Sequence, residues 1–304
     1  MPPSKAKQKP KPGLSIVGSG RLGTALAIAL RKTGYRIDAL VARSLRGARK
    51  AAIILDAPVK KLAFTQLSKL PSNELMIIAT PDDQIKRVAL KLARVKLREG
   101  EIRMALHTSG ALSSTVLSPL AERGWHVGSI HPLVAVSEPR SGAKALRCAF
   151  WCIEGDTEAL SVARTIVDDL KGQSFSVSAK RKPLYHAAAV MASGNMVALF
   201  DVALEMLGHC GLTPKAARRV LLPLVESTVR NLLVSEPAHA LTGTFARGDL
   251  ATVKLHMEAI SGAGISDALK LYRLLGKRAV ALARKNGVEP GILREIRKAL
   301  DGGN

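Results

Sequence analysis

Gly18, Gly20 and Gly23 stand at G-x-G-x-x-G spacing in Gly18-Ser19-Gly20-Arg21-Leu22-Gly23. That spacing serves one kind of chemistry, holding a pyrophosphate against backbone. The first glycine allows a tight turn off a strand, the second lets the phosphates approach, and the third lets a helix pack close to the sheet. The N–H groups of that helix then face the anion. About 20 residues further on, an NAD site carries Asp or Glu for the ribose 2′-hydroxyl. Here Arg43-Ser44 stand instead. A guanidinium and a hydroxyl suit a 2′-phosphate, so the pattern favours NADP over NAD. Asp38 falls too early, inside the strand.

Three more turns lie where an open parallel sheet binds ligands, at the carboxyl ends of strands. They are Ala79-Thr80-Pro81, Thr108-Ser109 after His107, and His131-Pro132-Leu133. His131 is the best candidate for proton transfer, because histidine titrates near working pH and serves as acid or base. Ser109, at the neighbouring strand end, is placed to hydrogen-bond His131 or the substrate. From the second half of the chain, His186, Asn195, Thr242 and Arg247 are candidate substrate residues. Arg247 can clamp a carboxylate or phosphate bidentately. Asp249 reads as a helix cap or as a partner of Arg247. Plainer readings exist for each: a surface arginine at 43, a histidine held by backbone in a turn at 131, and polar side chains satisfied by near neighbours at 186 and 195.

These residues need elements to position them, and the pattern supplies two kinds. Leu14 to Val17, Arg36 to Ala42, Pro58 to Leu62, Glu74 to Ala79, Glu101 to Leu106, Trp125 to Ile130, Ala149 to Glu154 and Ser174 to Ser178 read as strands. Helical patterns fall between them, at Leu22 to Leu30, Leu45 to Leu55, a stretch capped by Asp82 and running to about Leu97, one starting at Ser113, and Asp156 to Leu170. After Pro183 strand-like runs vanish, and Leu184 to His209, Pro214 to Val234, Asp249 to Ala259, Asp267 to Lys285 and Pro290 to Leu300 all read as helices. The chain therefore reads as an α/β Rossmann domain with a mostly parallel doubly wound sheet over 13–179, and an all-α domain over 180–304. Ala188 to Leu199 is apolar nearly all round, which predicts burial within the helical domain or in a dimer interface. Met1 to Pro12, with four lysines among prolines, reads as a disordered arm.

Composition narrows the classes. The net charge of +22 permits anionic partners, but aromatic residues make up only 3%, which leaves few base-stacking platforms, so nucleic acid is a minor reading. No apolar run reaches membrane-spanning length and no signal peptide opens the chain, so no membrane partner is expected. Cys148, Cys152 and Cys210 form no C-x-x-C pair or zinc pattern, so no metal is expected and the thiols fit a reducing cytoplasm. Cys148 and Cys152 read as core residues.

The chain resembles the NADP-binding Rossmann-like family whose helical half is domain of unknown function 2520. The motifs are Gly18-Ser19-Gly20-Arg21-Leu22-Gly23, His107-Thr108-Ser109-Gly110-Ala111-Leu112, Gly128-Ser129-Ile130-His131-Pro132-Leu133, Tyr185-His186-Ala187-Ala188-Ala189 and Ala240 through Asp249. Val134-Ala135-Val136 stand where that family usually carries an aromatic, and Thr244 where it usually carries proline. Ala192 through Leu212 looks like the opening dimer helix of pyrroline-5-carboxylate reductases. Gly128 through Gly142 looks like the prephenate dehydrogenase segment that bears the catalytic histidine, and Ser109 matches a serine that orients it. The whole resembles the 6-phosphogluconate dehydrogenase-like group, with a helical C-terminal half that dimerises. The resemblance implies an NADP-dependent oxidoreductase, homodimeric and cytoplasmic, acting on a small anionic metabolite. The alternative is a non-catalytic NADP-binding or sensing protein on the same fold.

Overall fold

The computed structural model describes residues 11–72, 75–95 and 103–302. Most of the basic arm, and the predicted element ends at Glu74, Leu97 and Glu101, lie outside them. The chain divides into two compact units, one ending at Ser193 and one starting at Gly194.

The first unit is an eight-stranded sheet in the order β3-β2-β1-β4-β5-β6-β7-β8. Its strands are β1 (Gly13–Val17), β2 (Arg36–Ala42), β3 (Lys60–Ala63), β4 (Leu75–Ile78), β5 (Met104–His107), β6 (His126–Pro132), β7 (Phe150–Gly155) and β8 (Gln173–Phe175). All neighbours pair parallel except β6 and β7, which run antiparallel. The helices are α1 (Arg21–Lys32), α2 (Leu45–Leu55), α3 (Asp82–Leu92), α4 (Ser118–Ala121), α5 (Pro139–Ala145), α6 (Thr157–Asp169) and α7 (Lys182–Ala192).

Alternation along the strands builds two cores. Leu14, Ile16, Leu75, Ile77, Leu106 and Trp151 face the layer of α1, α2, α5 and α6. Val17, Val41, Met76, Ile78 and Ala105 face α3 and α4. Each fully buried Leu or Ile contributes about 1.5–3 kcal/mol. Strand order reverses between β1 and β4, which opens the crevice where such sheets bind ligands.

Several predicted details change. Asp82 does not cap α3: Pro81 holds that position and Asp82 sits in the first turn. The Ser113 segment forms a short 3-10 turn at Ser114–Leu117 before α4. Helix α5 has no counterpart in the sequence reading; Glu138 caps it through the N–H groups of Arg140 and Ser141. Cys152 is buried, but Cys148 is exposed in a left-handed turn (φ 62°) and is not a core residue.

The largest difference concerns the long apolar helix. The predicted run Leu184 to His209 is two helices, broken at Ser193 (φ −125°, ψ −77°). Contacts place α7 with the sheet, 14 residues beyond the boundary read from the sequence, because Lys182 at its start is buried there. The apolar run is also not buried within its own chain: Met191 is 68% and Val197 67% exposed. By length and mean hydropathy (1.6), Ala179–His209 does pass as a membrane span, contrary to the sequence reading. Its first half nevertheless carries Lys182, Tyr185 and His186 against β6, and its middle is broken.

The second unit is helical: α8 (Gly194–His209), α9 (Pro214–Val234), α10 (Pro237–Ala240), α11 (Gly243–Ala246), α12 (Leu250–Gly262), α13 (Ser266–Lys285) and α14 (Pro290–Asp301). Val253, Ala283, Leu293, Ile296 and Leu300 form one small core, and Ile260, Ile265 and Ala268 another. Helices α8 and α9 contribute little to either and leave Val197, Leu224, Leu233 and Val234 exposed.

Candidate functional site

The glycine turn follows β1 and is held by neighbouring backbone. The N–H groups of Gly18 and Ser19 both donate to Val41 O, at 2.8 and 2.9 Å. Gly18 has φ 106°, and a Cβ there would lie 2.5 Å from the Ala79 carbonyl. A Cβ on Gly23 would collide with Gly18 O. These two glycines are therefore required by the protein itself. Gly20 is different: its backbone is extended, and a Cβ there would meet nothing within 4 Å. The space over Gly20, at the N-terminus of the 12-residue α1, is open to a phosphate.

The adjacent turn brings Ala79, Thr80 and Pro81 alongside, with Ala79 N–H on Val17 O and Thr108 N–H on Ile78 O. Ser19 Oγ and Thr80 Oγ1 are buried and make no hydrogen bond among the described residues. Unpaired hydroxyls in a crevice with a glycine-lined floor fit a polar group, and these residues fit the dinucleotide that the spacing predicts. Arg21 and Leu22 open α1. Arg43 follows β2 and is exposed, while Ser44 caps α2, its hydroxyl accepting from Gly47 N–H at 3.2 Å. Asp38 lies inside β2 and pairs with Arg36 at 2.6 Å.

A second group of side chains lies along the same rim, on β5, β6, β7 and α7. The strand register places His107 beside Ser129 and Ser129 beside Glu154, with His131 and Cys152 paired two residues on. Lys182 is fully buried over this row. Its ammonium donates to Ser129 Oγ at 2.6 Å and Ser109 O at 3.4 Å. Burial pushes the Lys182 pKa down; Cys152, Glu154 and Asp82 oppose the shift. His131 Nδ1 lies 2.7 Å from Tyr185 OH, and its ring meets His186 edge-on at 5.5 Å. Burial, then His186, then Lys182 lower the His131 pKa to about 4. Burial and Lys182 hold His107 at about 3. Both histidines are neutral at pH 7.

Ser109 does not take the place expected of it. Its hydroxyl donates to Asp82 Oδ2 at 2.8 Å and accepts from the N–H groups of Ala111 and Leu112, at 3.2 and 3.0 Å. That fills its bonding capacity, so it shapes the loop and leaves His131 to Tyr185. His186 does lie against His131. Asn195, Thr242 and Arg247 belong to the second unit, where all three are exposed. Asp249 caps α12, accepting from Thr252 N–H at 3.0 Å.

Lys182, Ser129 and Tyr185 have no role in the sequence reading. Their signals are nonetheless present: Lys182, Tyr185 and His186 recur at i, i+3 and i+4, one helical face, and Ser129 and His131 alternate on one strand face. Away from this rim, His126, Asp156 and Glu158 lie close together at the starts of β6 and α6. The Asp156 oxygens already accept from Val127 and Ala159 N–H groups.

Residues 1–132 match the family described as Rossmann-like domain, and residues 149–279 match the family described as domain of unknown function DUF2520. The chain carries a Rossmann-like domain followed by a DUF2520 domain. No curated protein matches it. Among solved structures it is similar to a protein of Bacteroides fragilis described as a candidate NADP oxidoreductase, at 23% identity and TM-score 0.72, over 88% of this chain and 98% of that one. It is similar to a Thermotoga maritima protein at 25% identity and TM-score 0.68, over 90% and 99%. A Plasmodium falciparum pyrroline carboxylate reductase with NADP bound shares 10% identity and TM-score 0.52, over 90% and 100%. What the chain shares with these is the fold.

Proposed function

We propose that this protein is an NADP-dependent oxidoreductase that acts on a small anionic metabolite. The observation that carries the reading is the placement of His131. It stands near the end of β6, parallel to β5, on the rim that also carries Gly18, Ala79 and Thr108. Its environment keeps it neutral, and one ring nitrogen is held by Tyr185. The bound cofactor would supply or accept hydride. Gly18 and Gly23 shape the turn, Gly20 leaves room for the pyrophosphate, and Ser19, Thr80 and the first N–H groups of α1 bind it. Arg43 and Ser44 favour the 2′-phosphate. His131 manages the proton on the reacting oxygen or nitrogen. Arg247, exposed in the second unit, is the guanidinium we assign to the substrate's anionic group.

The protein is further proposed to act as a cytoplasmic homodimer joined through the apolar faces of α8 and α9. Three free cysteines and those exposed faces support this.

The test is NADPH oxidation against a panel of small carboxylated and phosphorylated carbonyl and imine compounds, with the reverse reaction run on the matching alcohols and amines. Wild-type protein is expected to turn over at least one pair. His131→Asn should bind NADPH normally and lose about a hundredfold or more in rate. NADPH binding without turnover of any pair would overturn the catalytic reading and favour a sensor.

A further inference from the structure

The contact between Tyr185 and His131 fixes more than the position of a ring. The phenol oxygen is 2.7 Å from Nδ1, and burial raises the phenol pKa, so the proton stays on oxygen at neutral pH. Three groups could take that proton's hydrogen bond or compete for it: Nδ1 of His131, the Cys152 thiol on β7, and solvent. Burial raises the Cys152 pKa and keeps it a thiol, a weak acceptor. An imidazole nitrogen lone pair is the stronger acceptor. A ring that accepts at Nδ1 and is neutral must carry its proton on Nε2.

Among the described residues, Nε2 has no hydrogen-bond partner. It lies over Gly110, where a Cβ would come within 2.8 Å of both Nε2 and Cε1, and 2.5 Å from His186 Cδ2. The missing side chain at 110 makes room for the two imidazoles. The charged and titratable groups around the ring are His186, Tyr185 and Lys182 on α7, Cys152 on β7 and His107 on β5. Among the described residues, no carboxylate contacts the ring to favour an imidazolium.

We propose that Tyr185 is a positioning residue whose phenol fixes His131 as the Nε2–H tautomer, so that a neutral imidazole offers the substrate a hydrogen-bond donor. The matching substrate group is an acceptor, a carbonyl oxygen or an imine nitrogen, whose developing charge the N–H stabilises during hydride transfer. This rests on the reading of His131 as the group that meets the substrate, but its first test does not.

Nitrogen-15 spectra of the full chain, labelled at histidine, report tautomer and charge without cofactor or substrate. The His131 signals are assigned by their loss in His131→Gln. At pH 7, Nδ1 should resonate as an unprotonated nitrogen and Nε2 as a protonated one. Tyr185→Phe should shift the ring towards a mixture of tautomers. A wild-type ring protonated at Nδ1, or an unchanged ring in a folded Tyr185→Phe, overturns the proposal. If Tyr185→Phe does not fold, the wild-type spectrum still decides. Where a substrate is found, kcat/KM should show no acid limb near 6.5, the ordinary histidine value. Activity that requires the imidazolium would contradict the donor role. The expected tautomer in a protein that turns nothing over would remove the oxidoreductase reading and with it the donor role, and leave standing only the assignment of the tautomer to Tyr185.

Discussion

Arg43 and His131 each give a measurement at the scale of single residues. Arg43→Ala should weaken NADPH by about 1.5–3 kcal/mol and leave NADH almost unchanged, because only NADPH carries the 2′-phosphate. Parallel fluorescence titrations check this, and equal affinities for the two cofactors in wild type would contradict it. His131 has a folded pKa of about 4 against an ordinary 6.5, so the unfolded chain binds the proton more readily. Its contribution to stability is complete above pH 6.5 and is lost as the pH falls towards 4, on the order of 3 kcal/mol. Urea midpoints should therefore fall over this range, and fall less steeply in His131→Gln. Identical slopes would show that the ring is not held neutral. His131 was legible in the sequence from its place at a strand end. Ser109 was not, because a motif gives the residue and not the bond: Asp82, 27 positions earlier, takes the hydroxyl.

Elements were legible where a single physical signal sets them. β2 and α2 have the predicted bounds, because an apolar run ends at Arg43-Ser44 and Ser44 caps the helix that starts at Leu45. Asp156 was read as the first residue of a helix and is the cap of α6. It also accepts from Val127 N–H at 2.7 Å and so ties the helix to β6. Asp156→Ala should cost about 1–2 kcal/mol in urea unfolding, with an unchanged m value. No loss would mean that water replaces both bonds. The break at Ser193 was not legible, since Ala192-Ser193-Gly194 continues the apolar pattern of the helices on either side. Helix α7 joins the sheet unit through Lys182, a lysine covered by the sheet, and patterning assigns lysine to the surface.

The two units differ in how complete they are. The sheet unit covers its apolar strands on both faces, whereas α8 and α9 expose Val197, Leu224, Leu233 and Val234. Such exposed apolar faces support the proposed dimer. Light scattering at micromolar concentration should give about twice the chain's mass, and Val197→Asp should reduce it to the monomer value. A compact wild-type monomer would contradict the dimer. The proposed function depends on a dinucleotide lying over the β1 turn, and Gly20 tests that most directly. A Cβ there meets nothing within 4 Å, so Gly20→Val should stay folded, with its thermal midpoint close to that of wild type. It would nevertheless fill the space the pyrophosphate needs. NADPH affinity, measured by fluorescence titration, should fall at least about tenfold, or about 1.4 kcal/mol. A folded Gly20→Val protein that binds NADPH as tightly as wild type would contradict dinucleotide binding at this turn.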